Sequence, residues 1–239
     1  MTVPTNLPQV ANIQGLWHLN EATGNAVDAS PNGNTLTETV GTIASATGVI
    51  KNCRDFELGD TEYFTITDAN QTGLDITGGI TICAWIKLES VGANQVVASK
   101  FDANGNLKCY RFEINSSNEI QAVLTTDGAT NVTATSTGTL ASGNWYHIAF
   151  TLNQATNVIQ TYLAGLANGA TTAFAVDIAD KASPFAIGAS FDTTADRYFD
   201  GLIDEVIVWN TCLTAVEVLQ VKNITAYSLD GGFILNMMR

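Results

Sequence analysis

Residues 199–218 read F-D-G-L-I-D-E-V-I-V-W-N-T-C-L-T-A-V-E-V. The aromatic-Asp-Gly opening is a turn signal, and the run after it alternates as a strand does. That alternation predicts Leu202, Asp204, Val206 and Val208 on one face and Ile203, Glu205, Ile207 and Trp209 on the other. A strand apolar on both faces belongs in the middle of stacked sheets. Asp204 falls in that apolar setting, where an unpartnered polar group costs about 1–3 kcal/mol, so it must have a partner. Leu213 and Thr214 then open a short helix. Thr214 and Glu217 have the spacing of a capping box, in which hydroxyl and carboxylate satisfy the first backbone amides.

Upstream, short alternating runs recur at residues 95–101, 108–114, 119–125, 130–136, 145–152, 158–163 and 170–178. Turn formers such as Asp102-Ala103-Asn104-Gly105, Asp127-Gly128 and Ala167-Asn168-Gly169 separate them. This rhythm predicts an all-β, two-sheet antiparallel sandwich or barrel with one short C-terminal helix. No internal repeat or Gly/Ser linker divides the chain. At 239 residues and 46% hydrophobic content it is long enough to bury one full core.

Several segments resemble, in order, the landmarks of laminin-G-like (concanavalin A-like) jelly-roll domains. Leu16-Trp17-His18-Leu19-Asn20-Glu21, with Gly24 and Asp28, is similar to the family's opening strand and turn. Phe56 with Tyr63-Phe64-Thr65-Ile66 resembles the strand pair that follows. Residues 80–87, I-T-I-C-A-W-I-K, and 143–150, G-N-W-Y-H-I-A-F, resemble two further family strands. Residues 185–188, F-A-I-G, match the pattern L-x-I-G, and the opening stretch of residues 199–218 completes the set. At residues 162–165 the family's Y-x-N-G becomes Y-L-A-G, with Ala164 in the Asn position. The resemblance runs from about Gly15 to about Gln220. It implies a jelly-roll domain over residues 15–222, an N-terminal arm over 1–14 and a C-terminal extension over 223–239.

Fold alone does not fix function in such a family. The net charge of −13 argues against nucleic acid, whose binding rests on Lys and Arg. No apolar run is long enough to span a bilayer, and the N-terminus lacks the charged and apolar regions of a secretory signal. Synthesis in the cytoplasm is the expectation. The four cysteines show no C-x-x-C spacing and read as reduced thiols.

Two site expectations follow. The turn around Asp28 and Asn32 offers carboxylate, amides and carbonyls to a hard cation, and the resemblance implies that it lies near Asp204. Asp28, Asn32 and Asp204 are therefore the candidate ligands of a structural Ca²⁺. The competing account makes Asp28 an Asx-turn residue and Asp204 a cap on backbone amides. For sugars, the candidates are the polar-aromatic residues Trp85, Tyr110, Arg111, Tyr198 and Trp209. His18 and His147 read as hydrogen-bonded framework residues. A glycosidase needs carboxylates that project together. Glu57 and Asp60 are three residues apart, and Asp204 and Glu205 are adjacent, so extended strands would send each pair apart.

The sequence thus favours a non-enzymatic recognition or structural protein with a glycan or neighbouring subunits as partner. A virion (phage) decoration or attachment component, in a homo-oligomer or lattice on the virion surface, is the sharper form of that expectation. A free-standing lectin domain is the alternative, and a glycan-active hydrolase the weaker third. The tail contributes to the assembly reading, because Phe233, Ile234, Leu235, Met237 and Met238 would each forfeit roughly 1.5–3 kcal/mol if left in water.

Overall fold

A computed structural model of the chain describes residues 6–39, 41–191 and 197–226. The strands begin with β1 (Ile13–Trp17), β2 (Thr37–Thr39), β3 (Ala44–Thr47), β4 (Asn52–Phe56) and β5 (Tyr63–Ile66). The long β6 (Ile80–Leu88), β7 (Gln95–Asp102), β8 (Leu107–Ile114), β9 (Glu119–Thr125), β10 (Asn131–Thr139) and β11 (Trp145–Asn153) follow. Then come β12 (Val158–Leu163), β13 (Leu166–Ala167), β14 (Thr172–Ala173), β15 (Phe185–Ile187), β16 (Gly201–Trp209) and the helix α1 (Ala215–Ala226). The run at residues 170–178, expected as a full strand, forms only the two-residue β14.

Two antiparallel sheets make the sandwich. The first has the order β13-β12-β11-β6-β16-β4-β3, with β1 also on β16 and β14 also on β12; the second has the order β10-β9-β8-β7-β15-β5-β2. Alternation sends one set of side chains from each sheet into a shared core, where Trp17 stacks on Phe185 at 5.1 Å and Phe112 meets Phe150 at 5.2 Å. The first sheet is apolar on its other face too. There Leu16, Cys83, Ala149, Tyr162, Ile207 and Trp209 form a second core with Leu7, Leu213, Val218 and Val221. The N-terminal segment and α1 therefore close over the outside of this sheet. Trp209 Nε1 donates to the Pro8 carbonyl at 3.1 Å, and the Gln9 side-chain amide donates to Glu217 at 2.9 Å. The described part of the arm docks on its own domain. The apolar tail lies outside the described residues. No helix among the described residues is long and apolar enough to cross a membrane.

In β16 the structure corrects the simple alternation. Asp204 pairs with Trp85 and Ile207 with Cys83, so three steps along β16 match two along β6. The extra residue is a β-bulge, with Glu205 in the left-handed region at φ 51°. Before it, Ile203 points into the sandwich; after it, Val206 and Val208 do, while Ile207 and Trp209 turn outward to the second core. The bulge moves Val206 and Val208 to the face opposite Asp204. The helix start is as the sequence implies: Thr214 Oγ1 accepts from the Glu217 amide at 3.3 Å, and Glu217 Oε2 accepts from the Thr214 amide at 2.8 Å.

The departure at Ala164 also has a structural counterpart. Ala164 and Gly165 connect β12 to β13 with φ of 53° and 81°, positive at both central positions as a type I′ hairpin turn requires. An L-residue with a Cβ pays roughly 1–2 kcal/mol for that conformation, and Asn tolerates it better than Ala. Ala164→Asn is therefore expected to stabilise the domain by several tenths of a kcal/mol up to about 1 kcal/mol. Urea denaturation checks this through a raised midpoint at unchanged slope.

Candidate functional site

The outer face of the second sheet can be read from its register. Thr37, Thr65, Ala186, Ser99, Arg111, Val123 and Thr133 are successive Cα partners across all seven strands. Their chain neighbours Phe64, Phe185, Ile187, Phe112 and Leu124 point into the core, so this row faces out. Small side chains fill most of it, and one guanidinium rises from the middle.

Arg111 and Glu113, two residues apart on β8, share that face and are buried, 3% and 1% exposed. Arg111 Nε and Nη2 lie 3.0 and 3.1 Å from the two carboxylate oxygens of Glu113, a bidentate pair. Arg197 Nη1 donates to the same Glu113 Oε2 at 2.9 Å. The Arg111 guanidinium also sits 4.2 Å above the Phe101 ring. Beside this network, Tyr63 contacts Phe191 edge-on at 5.7 Å and Tyr198 at 6.0 Å. All three rings are partly exposed.

Segments flanking residues 192–196 hold these groups in place. Ser99 Oγ donates to the Ala189 carbonyl at 2.7 Å, the Phe191 amide to Phe101 at 3.1 Å and the Val96 amide to the Arg197 carbonyl at 3.0 Å. Both ends of the loop are thus tied to β7. Arg111 and Glu113 are buried, so what this face can offer a polar ligand is the Arg197 guanidinium, 23% exposed and fixed by Glu113, beside the partly exposed aromatic rings.

Of the sugar candidates read from the sequence, Arg111 and Tyr198 belong to this face. Tyr110 does not. It points into the sandwich core, fully buried, with its hydroxyl donating to the Leu74 carbonyl at 2.9 Å. Trp85 and Trp209 point away from the main core, as the alternation implies, but α1 and the N-terminal segment cover them. Trp85 Nε1 donates to Thr225 Oγ1 of α1 at 2.8 Å, and Trp209, a member of the second core, donates through Nε1 to Pro8, so both are framework residues. Tyr63, Phe101, Glu113, Phe191 and Arg197 were missed. The i, i+2 pair Arg111/Glu113 was legible from β8's alternation; contacts made by residues 191 and 197 from a distant loop were not.

The expected convergence of Asp28, Asn32 and Asp204 is not what their hydrogen bonds describe. Asp28 Oδ1 accepts from the Leu16 and Ser30 amides, and Oδ2 from Ser30 Oγ and the Asn34 amide, all at 2.7–2.9 Å. Both oxygens are occupied in organising the turn. Asn32 Nδ2 donates to the Gln14 backbone and side chain at 3.2 and 3.1 Å. Asp204 works elsewhere, its Oδ2 accepting from the Val49 and Ile50 amides at 2.7 and 3.0 Å. A Cβ on Gly48 would fall 2.5 Å from that oxygen, so only glycine lets the turn approach this closely.

Asp204 Oδ1 is buried with no hydrogen-bond partner. Burial, and then the charge of Glu205, push the Asp204 carboxyl up to about 7. Glu205 meets His18 Nδ1 at 2.7 Å. Burial alone would lower the His18 imidazole, but the hydrogen bond and charge of Glu205, with Asp204 and Glu21 behind it, raise it. His147 departs from expectation: neither ring nitrogen has a hydrogen-bond partner, and burial lowers it to about 3. Its ring packs edge-on against Trp85 at 5.4 Å, as an apolar group would.

Among the described residues, one acidic cluster forms: carboxylate oxygens of Asp55, Glu57 and Glu89 lie within 4.8 Å of one another. Glu57 and Glu89 are exposed and Asp55 is half-buried. Glu62, next to the carboxylates weighed for hydrolysis, is buried and accepts from the Glu57 amide at 2.9 Å.

Residues 58–219 match the family model of the concanavalin A-like lectin/glucanases superfamily. No curated protein matches the chain. Among solved structures, domain 4 of a Geobacillus stearothermophilus extracellular arabinanase, in complex with arabinotriose, superposes with a TM-score of 0.67 at 18% identity. That match covers 88% of this chain and 98% of that one. The binding domain of Paraclostridial Mosquitocidal Protein 1 gives 0.69 at 15% identity, over 90% of this chain and 52% of that one. The binding domain of botulinum neurotoxin DC, in complex with SialylT, gives 0.66 at 12%, over 91% and 52%. This chain thus spans about half the length of the two toxin binding domains.

The raised Asp204 carboxyl has a consequence for stability. The folded protein holds this proton more tightly than the unfolded chain, so its contribution is complete below about pH 4 and is lost as pH rises to about 7. His18, also raised, acts in the same direction, with Glu205, Glu21 and the Cys53 thiol as the other titratable neighbours. Asp204→Asn keeps an oxygen for the Val49 and Ile50 amides but cannot ionise. Its stability is expected to gain on the wild type between pH 4 and 7, reaching an advantage on the order of a few kcal/mol. Parallel urea titrations in EDTA across that range check the divergence; superimposable pH profiles would contradict it.

Proposed function

The chain belongs to the concanavalin A-like lectin/glucanases superfamily, and from that premise we propose that it is a non-catalytic carbohydrate-binding domain. The observation that carries the proposal is the outer face of the second sheet. The buried Arg111–Glu113 pair there holds the partly exposed Arg197 beside the partly exposed rings of Tyr63, Phe191 and Tyr198. Such a face suits a sugar, since a ring stacks its C–H surface while the partly exposed Arg197 guanidinium, fixed by the buried Arg111–Glu113 pair, takes its hydroxyls. The arabinotriose-bound arabinanase domain supports the ligand class by likeness of fold. A virion decoration or attachment role, in a homo-oligomer or lattice, is a narrower form of the same reading and adds a setting to it.

Hydrolysis is the competing reading, because relatives of this fold include a sialidase. The exposure of Glu57 and Glu89, which leaves Asp55 as the half-buried member of their acidic cluster, weighs against it. Tyr198→Ala is expected to weaken glycan-array binding at least tenfold, equivalent to about 1.4 kcal/mol, with the fold intact. Incubation of the wild type with arabinan, β-glucan and chitosan is expected to release no reducing sugar. Release that Glu57→Gln abolishes would turn the assignment to a hydrolase.

We also propose a structural Ca²⁺ at Asp204, whose Oδ1 is a buried oxygen without a hydrogen-bond partner among the described residues. A hard cation takes several oxygen ligands and would offset the cost of a buried carboxylate. A cation bound only by the folded state raises the melting temperature with its concentration. Melting curves in millimolar Ca²⁺ are expected to lie above those in EDTA, and Asp204→Asn to remove the difference. Coincident wild-type curves would eliminate the ion.

A further inference from the structure

On the other side of the sandwich, the first sheet carries a cavity of about 290 Å³ where β11 and β12 meet the residues that lead into α1. We infer that this cavity is a second ligand site, shaped for one neutral sugar ring. The carbohydrate-binding proposal supplies the ligand class, while the place and the selectivity come from the cavity itself. Thr151 and Gln160, paired across the two strands, form its floor with Asn153 and Tyr162, and Cys212 and Thr214 stand at its wall. Its volume lies at the lower end of the roughly 300–1,000 Å³ usual for ligand pockets, enough for a ring and not for a chain.

Charge selects the neutral class. Among the described residues no Asp, Glu, Lys, Arg or His lines the cavity, in a chain whose net charge is −13. The polar groups are held in advance. Asn153 Oδ1 accepts from the Ala155 and Thr156 amides at 2.9 and 3.2 Å, which orients the side chain and leaves Nδ2 as a donor. Gln160 Nε2 donates to the Thr161 and Gly169 carbonyls at 3.0 and 3.1 Å, which leaves Oε1 as an acceptor. One fixed donor and one fixed acceptor suit a pair of neighbouring hydroxyls, each of which both gives and takes. The hydroxyl of Tyr162 is engaged with Thr151, so its ring is held as an apolar surface beside them.

Cys212 provides the measurement. It is half-buried at the cavity wall, whereas Cys53, Cys83 and Cys109 are buried, so a small neutral alkylating reagent such as N-ethylmaleimide modifies Cys212 first. Alkylation is followed by mass spectrometry in the presence of arabinose, galactose, glucose, N-acetylglucosamine or glucuronate. At least one neutral sugar is expected to protect Cys212 at saturation, and glucuronate is expected not to. Gln160→Leu should abolish the protection. Asn153→Asp, which keeps the oxygen that holds the turn but loses the donor, should do the same in a folded protein. Tyr198→Ala should leave the protection unchanged. Failure of every neutral sugar to protect, or protection that survives both cavity variants, overturns the second site. If glycan binding that depends on Tyr198 persists in that case, the cavity inference falls alone; if no sugar is bound by any measure, both proposals fall.

Discussion

The bulge in β16 is the constraint on which the remaining architecture depends. β16 is the hub of the first sheet, bonded to β6 along most of its length and to β1 and β4 at its two ends. An unbroken alternation would send Val206 and Val208 to the same side as Asp204. The extra residue at Glu205 instead gives the sandwich its Val206 and Val208 and gives the second core its Ile207 and Trp209. A non-glycine residue in the left-handed region costs on the order of 1–3 kcal/mol unless its surroundings fix it. Here they do. Glu205 is held by His18, and Asp204 by two consecutive amides of the Val49–Ile50 turn. The strain and the buried carboxylate are parts of one device that fastens three segments distant in the chain.

From that device follows the asymmetry of the two sheets. Once Trp209 and Ile207 face outward, the first sheet presents an apolar surface that must be covered, and α1 with the N-terminal segment covers it. No described helix covers the second sheet; the middle of its outer face is buried instead under the segments that flank residues 192–196. The outward row is mostly Thr, Ser and Ala around Arg111, with Glu113 two residues further along β8. The two tryptophans that looked most like sugar platforms are for this reason the wrong ones, since the face they share is the face the helix occupies.

How much was legible in the sequence divides along the same line. Local rules worked where the determinant was local: the alternating runs other than residues 170–178, the Asp-Gly and Asn-Gly turns, and the Thr214/Glu217 capping box stand where the residues imply. Facing was lost wherever one extra residue intervened, because a period of two carries no memory of a bulge. Tyr110 was misjudged for a related reason. A Tyr beside an Arg in a strand looks like a polar-aromatic pair, but adjacent residues take opposite faces, and only Arg111 belongs to the outside. Asp28 and Asp204 were each recognised as carboxylates that need partners. Which amides satisfy them depends on turns more than 100 residues away for Asp204, and no spacing in the chain encodes that.

The buried charges on the second sheet raise the question of why they are there at all. Replacing a buried ion pair by apolar residues of similar volume is often neutral or stabilising, by about 1–4 kcal/mol, so Arg111 and Glu113 are a poor device for stability alone. Their neighbours make the point sharper. The row that holds Arg111 could have been completed with another Thr or Val at no cost to the sheet. A guanidinium locked by two carboxylate contacts and a ring beneath it has lost its freedom before any ligand arrives, which lowers the entropy cost of binding. Loop residues 191 and 197–198 bring the remaining rings and a second guanidinium to the same place. Under the carbohydrate-binding reading, the folding cost of these buried charges has its return in a rigid polar site, set on the one sheet face that no helix covers.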